Sequence, residues 1–274
     1  MRDWVSHARQ AIQRGEQVIS ISIARVRGSA PRDVGTTMLV TQHRCIGTIG
    51  GGQLEFSAID TARRWLQQTD KAASFERRVP LGSDCGQCCG GVVTLNYRRW
   101  TDSRLPEATE ADPNPLADVV IFGAGHVGRA LAQVLATLDT KVWVVDSRAD
   151  QLALLTDGVA APLLAANPLD AIAQCAHGAA VVVMTHDHDL DLALCEALLQ
   201  RDDWCYLGLI GSRTKARRFD KKLRAAGISD ADLSRLTCPI GLPGLTGKHP
   251  GEIAVAVTAE ILQTARRQIL KGVA

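Results

Sequence analysis

Val119-Val-Ile-Phe-Gly123-Ala-Gly125-His126-Val-Gly128-Arg-Ala130 is the stretch that decides the fold of this 274-residue chain. A short apolar run rich in β-branched residues leads into G-x-G-x-x-G, and apolar residues at helical spacing follow to Leu138. The glycines have distinct physical uses. Gly123 permits the tight turn, Gly125 lets backbone approach a pyrophosphate, and Gly128 lets helix and strand pack closely. The helix start presents free N–H groups and a partial positive charge to an anion. Asp146 closes the next strand-like run (141–146), 23 residues after Gly123. A carboxylate there is expected to take the ribose hydroxyls of NAD or another nucleotide. His126, inside the turn, reads as a helix-start residue or as a ligand contact.

Working outward, strand and helix patterns alternate to the C-terminus. Residues 179–184, 204–210 and 236–240 read as strands, and 189–200, 212–226 and 251–270 as helices. Strands separated by helices of this length imply an α/β fold, with a Rossmann-type parallel sheet covered by helices on both faces. We assign it to 117–274. Ligands of such sheets sit at the carboxyl ends of the strands. Asp146, His186 and His188 of Thr185-His-Asp-His-Asp189, and Ser212 and Arg213 fall there. Lys215, Arg217 and Arg218 read as a solvated basic helix face.

Upstream, residues 101–116 carry Pro106, Pro113 and Pro115 among Asp102, Glu107, Glu110 and Asp112, the composition of a solvated linker. Residues 1–100 read as a separate N-terminal α+β domain of unknown strand order. Helices are expected at 4–14 and 53–67, and strands at 17–26, 74–80 and 91–97. A hairpin of 37–41 and 44–48 turns around Gln42-His43. The alternation of apolar and small polar residues in 17–26 predicts an exposed strand.

Composition narrows the function. With 46% apolar and 22% charged residues and a net charge of +2, nothing draws the chain strongly to nucleic acid or to a membrane. No run approaches the ~18 apolar residues that span a bilayer. The first residues lack the apolar core of a signal peptide, so a cytoplasmic location is expected. There the eight cysteines would be reduced, and each is a core residue, a ligand or a reactive thiol.

Three of them crowd into Asp84-Cys85-Gly-Gln-Cys88-Cys89-Gly-Gly91. Backbone N–H groups in a glycine-rich loop stabilise thiolates, and vicinal thiols between glycines have little to pack against. Cys85 and Cys88 form C-x-x-C, which suits redox chemistry or zinc, but a second such pair is absent. Cys175, Cys195 and Cys205 lie in apolar surroundings and read as core. Two further loops look suited to anions. Arg27-Gly-Ser-Ala-Pro-Arg32 carries two guanidiniums, and Gly50-Gly51-Gly52 opens a helix with Glu55 in its first turn.

Together with Ile49-Gly-Gly-Gly-Gln-Leu-Glu55, Tyr206-Leu-Gly-Leu-Ile-Gly-Ser-Arg213 and Cys238-Pro-Ile-Gly-Leu-Pro-Gly244, these motifs resemble the xanthine dehydrogenase accessory proteins, the XdhC/CoxI family. The resemblance runs along nearly the whole chain. It implies a chaperone that binds molybdenum cofactor (molybdopterin), supports its sulfuration and passes it to apo xanthine dehydrogenase. It further implies a cysteine desulfurase as partner, and it links Cys88 and Cys89 to the molybdenum of the cofactor. Soft thiolates suit that metal. Arg27, Arg32 and the Gly50–Gly52 loop would take the pterin phosphate. A homodimer is the default assembly. Two other readings stay open. One is an NAD(H)-binding oxidoreductase with His186 or His188 as acid or base. The other is a thiol-redox or zinc protein.

Overall fold

The computed structural model describes residues 4–68, 72–81, 90–101, 104–106, 118–138 and 140–272, with side chains in the last helix described to 267. Cys85, Cys88 and Cys89 lie outside the described residues, as does most of the expected linker. The chain divides into two compact units, Met1–Pro113 and Asn114–Ala274.

The first unit is a five-stranded antiparallel sheet in the order β3-β2-β1-β5-β4. Its strands are β1 (Val18–Arg27), β2 (Thr37–Val40), β3 (Cys45–Ile46), β4 (Ser74–Pro80) and β5 (Val92–Trp100). Helix α2 (Gly52–Leu66) lays Leu54, Ala58, Ala62 and Trp65 on Ile19, Ile21, Ile23, Leu95 and Tyr97. Helix α1 (Trp4–Gln13) covers Val18, Leu39 and Trp100. The prediction of an exposed strand at 17–26 is therefore corrected. β1 is the central strand, its first half is buried on both faces, and Ser20 is covered rather than open to water. Ser20 is 5% exposed and accepts from Trp100 Nε1 at 2.8 Å, so its hydroxyl is satisfied inside. The expected hairpin is present. Val40 pairs Cys45, and Thr41 Oγ1 accepts from the backbone of His43 and Arg44.

The second unit is a six-stranded parallel sheet in the order β11-β10-β9-β6-β7-β8. These are β6 (Val119–Phe122), β7 (Val142–Asp146), β8 (Ala161–Leu164), β9 (Ala179–Val183), β10 (Trp204–Leu209) and β11 (Leu236–Thr237). Read from β8, the order is the 3-2-1-4-5-6 of the doubly wound nucleotide folds, with the switch point between β6 and β9. Every residue of β6 and β9 is buried, which is why both read as unbroken apolar runs. Helices α3 (His126–Leu135) and α8 (Pro250–Gly272) pack on one face through Leu131, Leu135, Val257 and Ile261. On the other, α5 (His188–Leu199) and α6 (Arg213–Ala225) bury Leu194, Cys195, Leu198, Phe219 and Leu223. Two one-turn helices, α4 (Ala149–Leu152) and α7 (Asp230–Leu233), and a 3-10 segment, Pro168–Gln174, complete the unit. The last strand is shorter than the predicted 236–240. Its ladder with β10 stops at Thr237, ahead of Pro239, which has no N–H to offer.

Candidate functional site

In the first unit, the Arg27–Arg32 loop meets both the triple-glycine loop and Gly91. A Cβ on Gly91 would lie 2.1 Å from Ser29 O, and one on Gly28 would lie 3.2 Å from Gly91 Cα. The Arg27–Arg32 loop thus packs directly on Gly91, the residue that follows the cysteine segment and Gly90. A Cβ on Gly50 would lie 2.6 Å from Pro31 Cγ, so the triple-glycine loop docks on the same loop. Leu81 N donates to Gly91 O at 2.7 Å, which joins the two described ends of the segment that carries Cys85, Cys88 and Cys89. Arg27 and Arg32 are both exposed at this junction.

The triple-glycine loop holds an anion, and the anion is its own. Glu55 Oε2 accepts from Thr48 Oγ1 at 2.5 Å, Ile49 N at 2.9 Å and Gly51 N at 3.1 Å. Of the three glycine amides expected to face a phosphate, that of Gly51 is taken by this carboxylate from the first turn of the next helix, and that of Gly50 donates to Thr48 Oγ1 at 3.1 Å. Gly51, the N-cap of α2, supplies no side-chain cap, so the first amides of α2 have no side-chain acceptor from that residue.

In the second unit, three carboxylates tie loops at the carboxyl ends of the strands. Asp146, 4% exposed, accepts from Ala124 N at 2.7 Å and Arg148 N at 3.0 Å. The Arg148 fork closes on it through Nε and Nη2, each at 2.9 Å. Burial works against the charged form, but the Arg148 side chain, then the amides of Ala124 and Arg148, outweigh it and hold the carboxyl at about 2. Asp191, fully buried, accepts from Thr185 N at 3.0 Å and Thr185 Oγ1 at 2.7 Å. Its other oxygen meets Lys215 Nζ at 2.6 Å, and Lys215 also donates to Ile210 O at 3.0 Å. Glu260 on α8 accepts from Tyr206 Oη at 2.7 Å and Gly241 N at 2.8 Å. Burial, with Glu260 alongside, pushes the Tyr206 hydroxyl up, so it stays a donor.

Lys215 is thus a correction to the solvated basic face. Its side chain is 12% exposed and paired, whereas Arg217 and Arg218 are exposed. Asp191 and Glu260 escaped the sequence reading altogether. A signal existed for the first. Asp191 shares a helix face with Cys195 and Leu198, and Lys215 shares one with Phe219 and Leu223. A charge on an apolar stripe asks for a buried partner.

The glycine turn has the geometry its spacing predicts. Gly123 has φ +122°, and a Cβ on it would lie 2.3 Å from Met184 O across the switch point. A Cβ on Gly128 would lie 2.0 Å from Gly123 O, while one on Gly125 meets nothing within 4 Å. Gly125 caps α3 without a side-chain bond, leaving room and amides for a ligand. Arg129 Nη1 donates to Ala124 O at 2.6 Å. His126, His186, His188, Ser212 and Arg213 are exposed at this end of the sheet. Asp187 caps α5 and Ser212 caps α6. On the same edge, a cleft of about 470 Å³ opens between Gly244–Gly247 and the start of α8.

Among the described residues, no group of three His, Cys, Asp or Glu side chains is placed to hold a metal ion. None of the five described cysteines is in a disulfide. Burial pushes each thiol up, Cys175 and Cys238 to about 11, so none is a ready thiolate. No described helix is long and apolar enough to cross a membrane.

Comparison with known proteins follows the same division. Residues 119–261 match the model of the XdhC Rossmann domain, and 11–76 match that of the XdhC and CoxI family. YqeB of Escherichia coli is 30% identical over 93% of this chain, which spans only 45% of YqeB. The molybdenum cofactor insertion chaperone PaoD of Escherichia coli is 24% identical, with 94% of this chain and 87% of PaoD covered. A Bacillus subtilis protein named as a probable xanthine dehydrogenase component is 30% identical, with 92% of this chain and 94% of that protein covered. A crystal structure described as a xanthine dehydrogenase from Bacillus halodurans shares the fold, with a TM-score of 0.77 at 20% identity over 97% of this chain and 96% of that one. With family models matching in both units and a relative 30% identical along nearly the whole of both chains, this chain belongs to the XdhC and CoxI family.

Proposed function

We propose that this protein is a maturation factor for molybdenum enzymes, which takes up molybdenum cofactor as cargo and hands it to an apo enzyme of the xanthine dehydrogenase type. The observation that carries the reading is the convergence in the first unit. Gly91, at the exit of the cysteine segment, packs on the Arg27–Arg32 loop, and Gly50 packs on Pro31 of the same loop. Leu81 and Gly91, on either side of the cysteine segment, therefore meet beside a loop that carries two exposed guanidiniums, which supports a site combining soft sulfur donors with cations. That combination suits a cargo with a thiophilic metal at one end and a phosphate at the other. Arg27 and Arg32 would hold the phosphate. Cys88 and Cys89 would hold the molybdenum end while a cysteine desulfurase supplies its terminal sulfur. The likeness to PaoD, named as an insertion chaperone, supports the same role.

Anaerobic purification from a molybdenum-replete host tests it. The wild-type chain should carry the cofactor, and Cys88→Ala/Cys89→Ala should lose most of it with unchanged thermal unfolding. Equal retention by the double variant would remove the reading.

A second reading concerns the other unit. The open approach at Gly125 and the uncapped start of α3 favour a nucleotide at the switch point. When bound, such a group would rest its pyrophosphate on the Gly123–Gly125 turn, with its ribose toward the end of β7. Calorimetric titration with dinucleotides tests this, and no heat up to millimolar concentration would exclude it.

A further inference from the structure

We propose that the nucleotide site of the second unit selects for a phosphate, rather than a hydroxyl, at the ribose 2′ position, and that Arg148 makes the selection. The proposal rests on the nucleotide reading above and sharpens it to a ligand class, the 2′-phosphorylated dinucleotides.

The argument is one of acceptor capacity. In an NAD site, the carboxylate ending the second strand accepts from the ribose 2′-hydroxyl, so it must have a lone pair to spare. A carboxylate offers about four acceptor positions. Four donors already fill those of Asp146. Ala124 N and Arg148 Nη2 meet Oδ2, while Arg148 N and Nε meet Oδ1, all between 2.7 and 3.0 Å. A ribose hydroxyl arriving at this carboxylate finds nothing to donate to. Pushing Arg148 aside would strip a buried charge of its fork, which is strongly unfavourable.

The same geometry leaves a donor for the opposite ligand. A guanidinium is planar, and the edge carrying Nε and Nη2 is the one turned to Asp146. Nη1 lies on the far side, has no acceptor among the described residues, and belongs to a side chain that is one-third exposed. A 2′-phosphate can take it without disturbing the Asp146 pair. Arg129, tied to the carbonyl of Ala124, adds a second cation beside the same turn. Asp150, in the first turn of α4, opposes them with a negative charge, and its Oδ2 is engaged by Gln151 Nε2 at 3.0 Å.

The test is a fluorescence titration of the full chain with NADPH and with NADH, which differ only in the 2′-phosphate. One charged hydrogen bond gained by NADPH, and none available to NADH, should make NADPH bind roughly tenfold tighter or more. Arg148→Ala should bring the two affinities together, and Arg148→Lys, which keeps the charge without the fork, should fall between. Equal affinities in the wild type, or tighter NADH, would overturn the selection while leaving the nucleotide reading intact. A wild-type preference that survives unchanged in Arg148→Ala, with circular dichroism showing the variant folded, would overturn the assignment to Arg148. Failure of both nucleotides to bind at millimolar concentration would remove the nucleotide site itself, and the selection with it.

Discussion

Asp191 shows how much one buried carboxylate can organise. It stands on α5, yet it holds the turn after β9 through Thr185 and, through Lys215, the end of β10. Removing one member of such a pair strands the other in a dry interior, at a cost of about 3–5 kcal/mol. Asp191→Asn and Lys215→Met should each lower the unfolding free energy from denaturant titration by that amount. Asp191→Asn combined with Lys215→Met should cost less than the two singles added together. Simple additivity would mean that the two side chains do not act as a unit. Asp146 makes a separate prediction, in pH. Its carboxyl is held at about 2, below the value near 4 of an unfolded chain. The unfolded state therefore binds the proton first. The contribution is complete above about pH 4 and is lost as pH falls toward 2. It should be roughly 1–2 kcal/mol, because the Arg148 end of the pair is open to water. Acid unfolding of Asp146→Asn should lack that component, and an identical profile would refute its source.

At the scale of elements, the turn between β6 and α3 separates structural from ligand-facing glycines. A methyl at Gly128 would lie 2.0 Å from Gly123 O, and neither backbone can retreat without opening the strand–helix contact. Gly128→Ala should cost about 3 kcal/mol, at the upper end for overpacking. Gly125 has φ −67° and ψ −176°, an extended conformation open to any residue, and no atom within 4 Å of its would-be Cβ. Gly125→Ala should change stability by less than about 0.5 kcal/mol, yet weaken nucleotide binding, since the methyl occupies the approach of the pyrophosphate. Thermal unfolding and titration of the same two proteins check both halves. Comparable destabilisation by the two substitutions would contradict the division of labour.

Across the whole molecule, the sequence was most legible where a structural rule is local. The runs 119–122 and 179–183 announce central parallel strands because both faces of each are covered. The glycine turn is readable because its steric demands lie within six residues. Less local features escaped. β8 contains Pro162 and half-exposed alternate residues, which its place at the sheet edge tolerates but which spoil its pattern. α4 is a single turn, too short for any periodicity to register. Ser20 meets Trp100 across 80 residues and Lys215 meets Asp191 across 24, and no window reports a pairing of that kind. In the first unit, the Gly50–Gly52 loop was recognisable as an anion cradle. That Glu55 fills it follows only from the path of α2.

The three carboxylates of the second unit share one habit. Asp146, Asp191 and Glu260 each accept the amide of a loop residue, Ala124, Thr185 and Gly241 in turn. Loop amides ordinarily trade their protons with water within seconds to minutes, whereas these three are locked to groups that cannot let go without disrupting the core. In deuterated buffer they should be retained as long as the amides of β6 and β9, and disappear together with them. A crevice fringed with such protons is cast before any guest arrives, so occupancy should cost it little ordering.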